Sequence, residues 1–362
     1  MNTRRLLLVI LAVAALLSSA CSRPPPNPDD SRAQEPETVT IMTFNVQNLF
    51  DNVDDPDKAD ETFLPLSEKQ SEAHKAGCNK IAVKSWRDEC LYLDWSDEVI
   101  DHKLTVLAAA IKQVNDGRGP DIIAFEEVEN AAILDRLSYE YLPESKYGAS
   151  ILIEGDDERG IDVGFLSRLP QTEAPVLHPL KFPDHPDRQG DTRGILEATF
   201  MLPDGSELTG FAVHFPAPFH PTDMRVRAYQ ALDELRKALP DDRSVFAAGD
   251  FNTTSTEDAR EHLLDRYVRP YWTVAQDMCK DCRGTYYYGR DDTWSFLDMI
   301  LFSPARGKKT TWQIRAGSVR IANQTPDQVA PDGTPAHFDA AAGTGVSDHW
   351  PLVVEIDDKR NQ

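Results

Sequence analysis

Apolar residues along this chain come in short runs broken by polar stretches, and two periods recur. Residues 39–46 hold Ile41, Met42, Phe44 and Val46, which predicts a strand whose far end delivers Asn45, Gln47 and Asn48. Leu104, Leu107, Ile111 and Val114 repeat at helical spacing, and Gly117, Gly119 and Pro120 end that helix. Residues 122–125 read as a short buried strand running into Glu126, Glu127, Val128, Glu129 and Asn130. A further strand over 161–166 opens at Arg159, Gly160 and Asp162. Residues 194–201 and 208–214 read as an antiparallel pair turning across Pro203, Asp204 and Gly205, with His214 at its far end. An amphipathic helix follows over 223–239, with Ala228, Leu232, Leu235 and Leu239 inward. A strand over 244–248 then ends in Gly249, Asp250, Phe251 and Asn252. Strands over 296–302, which carries Asp298, over 317–322 and over 351–356 complete the series, and Ser347, Asp348 and His349 stand just before the last. Between residues 51 and 96 lies a polar, turn-rich insertion. Many strands and few helices in mixed order predict an α+β fold, a two-sheet sandwich flanked by helices, in preference to a doubly wound parallel sheet.

The N-terminal segment follows a different pattern. Arg4 and Arg5 precede an apolar run over 6–17, and Ser18, Ser19 and Ala20 lead to Cys21, which reads as a signal peptide over 1–20. The run is too short to span a membrane comfortably. Its ending resembles a bacterial lipoprotein signal, with Ser18 where that pattern prefers an aliphatic residue. The resemblance implies an exported cell-envelope protein acylated at Cys21, its sole membrane attachment. Ser18 and Ala20 also suit ordinary signal peptidase, which leaves a soluble periplasmic or secreted protein as the alternative. Residues 21–38 are rich in Pro, Asp and Ser and are expected to be a solvated tether, so the folded domain is expected over 39–357.

Composition narrows the function classes. A length of 362 residues suits one catalytic domain with appendages, expected as a monomer. The net charge of −22 argues against a broadly basic nucleic-acid-coating surface or a polybasic membrane patch. It leaves a nuclease open, because a bound cation supplies positive charge locally at the scissile phosphate. With Cys21 set aside from the five cysteines, Cys78, Cys90, Cys279 and Cys282 remain. In an oxidising compartment two local disulfides, Cys78–Cys90 and Cys279–Cys282, are the simplest outcome. The C-x-x-C spacing of the second pair also occurs in zinc sites and redox motifs.

Candidate chemistry sits at the ends of the apolar runs. Asn45, Glu127, His214, Asp250 with Asn252, and Asp348 with His349 all occupy such positions. Taken singly, each is more often a turn or loop residue. As a set they suggest a metal-dependent phosphoesterase, since carboxylate oxygens hold a hard cation such as Mg²⁺ and an imidazole activates water. Asp298 is out of place among apolar neighbours, where an unpaired carboxylate is costly, so a partner is expected. Asp250 and Asn252 lie two apart and on an extended segment point the same way. Arg159, Asp162 and Arg193 are further cleft candidates, the two arginines as phosphate-binding groups.

Thr43-Phe44-Asn45-Val46, Phe125-Glu126-Glu127-Val128, Gly249-Asp250-Phe251-Asn252, Leu297-Asp298 and Ser347-Asp348-His349 together resemble, in order and spacing, the endonuclease/exonuclease/phosphatase superfamily, to which pancreatic-type deoxyribonuclease belongs. The resemblance spans nearly all of 39–356. It implies a four-layer αββα sandwich of two mixed sheets, with metal ligands Glu127, Asn45 and Asp348. It also implies catalytic residues His349, Asp298, His214, Asp250 and Asn252, with Mg²⁺ as cofactor and Mn²⁺ or Ca²⁺ as alternatives. In this scheme His349, backed by Asp298, activates water, His214 protonates the leaving group, and Asp250 with Asn252 orients nucleophile and phosphate. Glu126 stands where relatives usually carry Gln and is expected to alter only local charge. The implied activity is phosphodiester hydrolysis by an extracytoplasmic nuclease acting on nucleic acid. A phosphomonoesterase or sphingomyelinase-like lipid phosphodiesterase is the alternative, and a non-catalytic binding lipoprotein the reading from another class.

Overall fold

Alternation along the strands sorts their side chains between two faces, and this sorting builds the molecule. In the strand Thr38–Leu49 (β1), Val39 and Ile41 enter one apolar cluster while Met42, Phe44 and Val46 enter another. The structure, a computed structural model, describes residues 38–306 and 312–358. These belong to a single compact unit bounded at Pro36–Gln362. The expected signal peptide, Cys21 and all of the tether but Thr38 lie outside the described residues, and Thr38 already begins β1. Among the described residues no helix is long and apolar enough to cross a membrane.

Two mixed sheets form the centre. The first runs in the order Trp312–Ile314 (β13), Leu352–Asp358 (β15), β1, Ile122–Val128 (β2), Asp162–Ser167 (β4) and Ile151–Leu152 (β3), with Arg320–Ile321 (β14) also on β15. The second runs Val176–His178 (β5), Ile195–Met201 (β6), Glu207–His214 (β7), Ser244–Asp250 (β8), Asp298–Ser303 (β12) and Thr273–Val274 (β9). Each has one parallel pair at its middle, β1 with β2 and β7 with β8, flanked by antiparallel neighbours. A small hairpin, Tyr286–Tyr288 (β10) with Thr293–Ser295 (β11), stands apart.

Three apolar clusters give the layers. Ile41, Ile122, Ala124, Phe165, Ala212, Phe246, Ala248, Ile300 and Val354 fill the space between the sheets. Met42, Phe44, Ile123 and Phe125 pack the outer face of the first sheet against Leu104, Leu107 and Ile111 of the helix Asp97–Ile111 (α3). Phe211, Val213, Ala247 and Leu301 pack the outer face of the second against Ala228, Tyr229 and Leu232 of the helix Thr222–Ala238 (α5). The result is the expected four-layer αββα sandwich.

Several boundaries differ from the sequence reading. Helix α3 stops at Ile111, and Val114 is buried in the turn beyond it. The insertion after residue 51 contains two short helices, Glu72–Cys78 (α1) and Lys84–Tyr92 (α2), joined by the Cys78–Cys90 disulfide. Their low apolar content gives no period to read. Cys279 and Cys282 form the second disulfide, so neither pair is a zinc site.

Candidate active site

Strand parity places the site. The residues continuing the inter-sheet face are Asn45 after Val39 and Ile41, Glu126 after Ile122 and Ala124, and Asp250 after Phe246 and Ala248. On β7 and β12 the same face adds His214, after Leu208 and Ala212, and Asp298, before Ile300 and Phe302. Register brings them level: Asn45 pairs with Glu126, His214 with Asp250, and Asp250 with Asp298. One end of the inter-sheet core thus changes from apolar to polar within a single layer. Gly249 makes the close approach possible, because its φ is +151° and a Cβ there would lie 1.9 Å from the Val213 carbonyl oxygen.

Glu127 breaks the parity, since simple alternation would point it outward. A bulge between Glu126 and Val128, with Glu127 at φ +63°, turns its carboxylate back to the strand ends. There Asn45 Nδ2 donates to Glu127 Oε1 at 3.3 Å and to Asp250 Oδ2 at 3.2 Å, linking the two sheets through one amide. Asn48 N–H donates to Glu127 Oε2 at 3.0 Å. Asn45 Oδ1 accepts from Gln47 N–H at 3.0 Å, which uses one of its two lone pairs, so the amide orders the carboxylates and keeps an acceptor position for a cation.

His349 and Asp298 meet as the sequence suggested, with Nδ1 and Oδ2 2.7 Å apart and both residues buried. The bond occupies Nδ1 and leaves Nε2 for other work. Burial opposes a charge on His349, but Asp298 and Asp348 outweigh it and hold the imidazole well above its ordinary value. Asp250 is pushed up to about 7 by burial, against the pull of His349. Ligand-grade atoms of Asp250, Asp298 and His349 lie within 4.8 Å of one another, and the Asp298–His349 bond engages Nδ1 and Oδ2 with each other. Ser347 fixes the loop: its hydroxyl donates to Asn45 O at 2.7 Å and accepts from His349 N–H at 3.0 Å. Half-buried Asp348 is held by its own N–H, which donates to Gln47 Oε1 at 3.0 Å.

Asn252 departs from the extended geometry expected for it. Strand β8 ends at Asp250, and Asn252 at φ +51° folds back so that its N–H donates to Asp250 Oδ1 at 2.8 Å and its Nδ2 to Phe215 O at 3.0 Å. His214 Nε2 lies 3.6 Å from Asp250 Oδ2. Burial, with the charges of Arg193 and Arg159, keeps His214 well below the ordinary value, hence neutral. Buried Arg193 lies 3.2 Å from Asp157 and near enough to Glu127 and Asp250 to feel both charges. Arg159 is more exposed, 3.8 Å from Asp157. Asp162 is buried and accepts Gly155 N–H at 2.9 Å, stabilising the loop between them.

Lys103 escaped the sequence reading. Its Nζ donates to Gln47 O at 3.1 Å and Val346 O at 3.0 Å, fastening the end of β1 to the loop that carries Asp348 and His349. Burial lowers it to about 7 against the pull of Asp348 and Glu127. The available signal was a lysine on the inward stripe of α3, between Ile100 and Leu107.

The donor set fits a hard divalent cation. Glu127 is held only by amides, the one nearby lysine is committed to carbonyls, and carboxylates crowd the layer. Among known proteins, a sequence model of the Endonuclease/Exonuclease/phosphatase family matches residues 100–349. The chain is similar in structure to an endonuclease/exonuclease/phosphatase family protein from Bacteroides thetaiotaomicron, with 17% identity and a TM-score of 0.54 over 89% of this chain and 98% of that one. D. rerio TDP2 complexed with single strand DNA product gives 15%, 0.51, 88% and 99% in the same order. A mannosyl-6-phosphatase from B. thetaiotaomicron gives 18%, 0.52, 88% and 99%. At these identities the structural likeness is one of fold. No curated protein matches the chain.

Proposed function

The chain belongs to the endonuclease/exonuclease/phosphatase family and is a metal-dependent phosphoester hydrolase; we propose that it is an exported nuclease that cleaves phosphodiester bonds. The observation that carries the nuclease reading is the aromatic surface beside His349. Tyr286 forms a backbone bridge with His349, and their rings lie 4.9 Å apart. Tyr288 is exposed on the same short strand, and Phe219 is exposed on the loop after His214. Aromatic rings at a phosphate site offer stacking platforms for bases, which a small phosphomonoester does not require. The N-terminal signal and Cys21 support an envelope location, with lipidation as the attachment.

In this reading Glu127 and Asp348 hold the cation, Mg²⁺ by the chemistry of their oxygens, and Asn45 positions Glu127. When bound, such an ion would neutralise phosphate oxygens and polarise the phosphorus centre. A cation beside Asp348 would offset part of the negative charge that raises His349, leaving Nε2 free to take a proton from water while Asp298 on Nδ1 fixes the tautomer and stabilises the imidazolium. The water oxygen bonds to phosphorus as the opposite ester bond breaks. Asp250 and Asn252 orient the nucleophile and the phosphate, and Arg193, with Arg159 further out, offsets phosphate charge. His214 is neutral in the free protein. An arriving phosphate brings negative charge that lifts it toward the protonated form, from which the leaving oxygen takes its proton.

The test measures hydrolysis of circular plasmid and of chromogenic mono- and diesters, with Mg²⁺ and with chelator, for wild type and His349→Ala. Metal-dependent nicking that falls by about 10² to 10⁴ in the variant is the expected result. Cleavage of a small ester with the plasmid intact would move the function to a phosphatase or lipid phosphodiesterase. Silence on all three substrates would leave a binding module.

A further inference from the structure

A second group of acids gathers around Glu129, two residues beyond Glu127 in the chain. Asp55 and Asp60 come from the insertion and Glu129 from the residue after β2, and one oxygen of each lies within 4.8 Å of the others. Asp60 and Glu129 are each only 3% exposed. Buried carboxylates at this density ordinarily have a lysine, an arginine or a full set of N–H donors. Here Glu129 Oε2 accepts from Asp51 N–H at 2.7 Å and Asn130 Nδ2 at 3.2 Å, and Asp60 Oδ2 accepts from Asp55 N–H at 3.0 Å. Asp60 Oδ1 is buried and has no hydrogen-bond partner. Lys58, the lysine within this stretch of the insertion, points elsewhere, its Nζ bonded to Gly155 O and Asp157 O at 2.9 Å each.

We propose that Asp55, Asp60 and Glu129 form a structural Ca²⁺ site, distinct from the catalytic one. The donors are carboxylate oxygens, which select hard cations over soft ones. Two of the three sit on an irregular loop, and Ca²⁺ accepts six to eight oxygens in flexible geometry, whereas Mg²⁺ demands a near-octahedral shell and keeps its waters. A cation here supplies the positive charge that Asp60 Oδ1 lacks.

The position gives the site a purpose. Glu129 N–H bonds to Leu49 O at 3.0 Å, so this residue already joins the ends of β1 and β2. Asp60 O accepts from Phe63 N–H, and Phe63 stacks on Phe50 and meets Trp95 edge-on. Ca²⁺ bridging Asp55 and Asp60 to Glu129 fastens the insertion to the strand end that carries Glu127. In its absence the same carboxylates repel one another and the insertion loosens first.

Thermal unfolding of the purified full chain is followed against Ca²⁺ concentration, with Tb³⁺ luminescence sensitised by aromatic excitation as a binding readout. The proteins are wild type, Asp60→Asn, Glu127→Gln and the double variant carrying both changes. Ca²⁺ is expected to raise the unfolding midpoint of wild type and of E127Q alike. In the double variant, where the catalytic carboxylate is also removed, the shift is expected to vanish or to need at least about tenfold more Ca²⁺ than in E127Q, a loss of about 1.4 kcal/mol or more in binding. Without Ca²⁺, D60N should melt no lower than wild type, because the amide removes a buried charge. Should D60N fail to fold, Asp55→Asn, at a half-buried position, replaces it with the same expectation. A wild type without a Ca²⁺ shift, a shift that persists undiminished in the double variant, or one lost in E127Q alone would overturn the assignment. An equal shift with Mg²⁺ would overturn the choice of ion.

Discussion

Glu126 shows how burial decides the meaning of a residue. The sequence resemblance places Gln at this position in relatives, and the acid was expected to change the local charge. The side chain is fully buried, its Oε1 accepts from Thr43 Oγ1 at 3.0 Å, and its Oε2 has no partner. Burial first, and then the charges of Asp298 and Asp250, hold it well above the usual carboxylate range. The shift favours the uncharged acid, which is close to Gln in shape. Glu126→Gln should keep metal-dependent hydrolysis within about threefold of wild type, a barrier change near 0.7 kcal/mol. Initial rates at pH 7 check this, and a tenfold loss would mean that the proton on Glu126 takes part in the reaction.

At the scale of elements, much of the site was legible because chemistry sits where apolar runs end. Asn45, His214 and Asp250 follow from strand parity, and Asp298 was conspicuous as an acid among apolar neighbours. What parity cannot convey is a reversal of it. The bulge that turns Glu127 inward and the left-handed backbone that folds Asn252 onto Asp250 depend on pairing between strands. The Arg193–Asp157 pair and the meeting of Asp55 and Asp60 with Glu129 depend on contacts distant in sequence. Strands as short as Thr273–Val274 carry too few residues for a period, and neighbours in the sheet create them. Asp162 joins these levels, since it begins β4 and its Oδ1 holds Gly155 N–H. Burial pushes its carboxyl up to about 7, with the Gly155 bond pulling the other way. Between the unfolded value near 3.8 and the folded value near 7, the folded chain holds the proton more tightly, so this group's contribution to stability falls as pH rises through that window. Asp162→Asn keeps an acceptor for Gly155 and removes the ionisation. Its unfolding free energy should match wild type near pH 4 and exceed it at pH 8 by a few kcal/mol, on the order of 4 at most. Denaturant titrations at the two pH values check this, and an equal difference at both would exclude the buried ionisation as its source.

For the whole molecule, the relevant quantity is the contrast between a net charge of −22 and the polyanionic substrate proposed for it. Two sheets meeting at one polar end concentrate Glu127, Asp250, Asp298 and Asp348 there, while the cations beside them are Arg193, Arg159 and Lys103. Lys103 is committed to two carbonyls, so about two arginines are left to neutralise phosphates. Counterion release then gives a log–log dependence of DNA affinity on salt with a slope of about −0.9 per neutralised phosphate, close to −2 in all. Long-range repulsion from the acidic surface works in the opposite direction, because added salt screens it over a Debye length of about 10 Å at 0.1 M. The two effects together predict that kcat/KM for plasmid cleavage changes shallowly with KCl between about 20 and 200 mM at fixed free Mg²⁺, with a slope no steeper than about −2. A chromogenic diester, too small to gain from counterion release, should show still less dependence. A plasmid slope near −5 would require about six phosphate contacts and hence a basic strip that the arginines at the acidic centre do not supply. That outcome would move the proposed DNA recognition away from the sandwich end and onto another surface, while leaving the chemistry proposed at His349 as it stands.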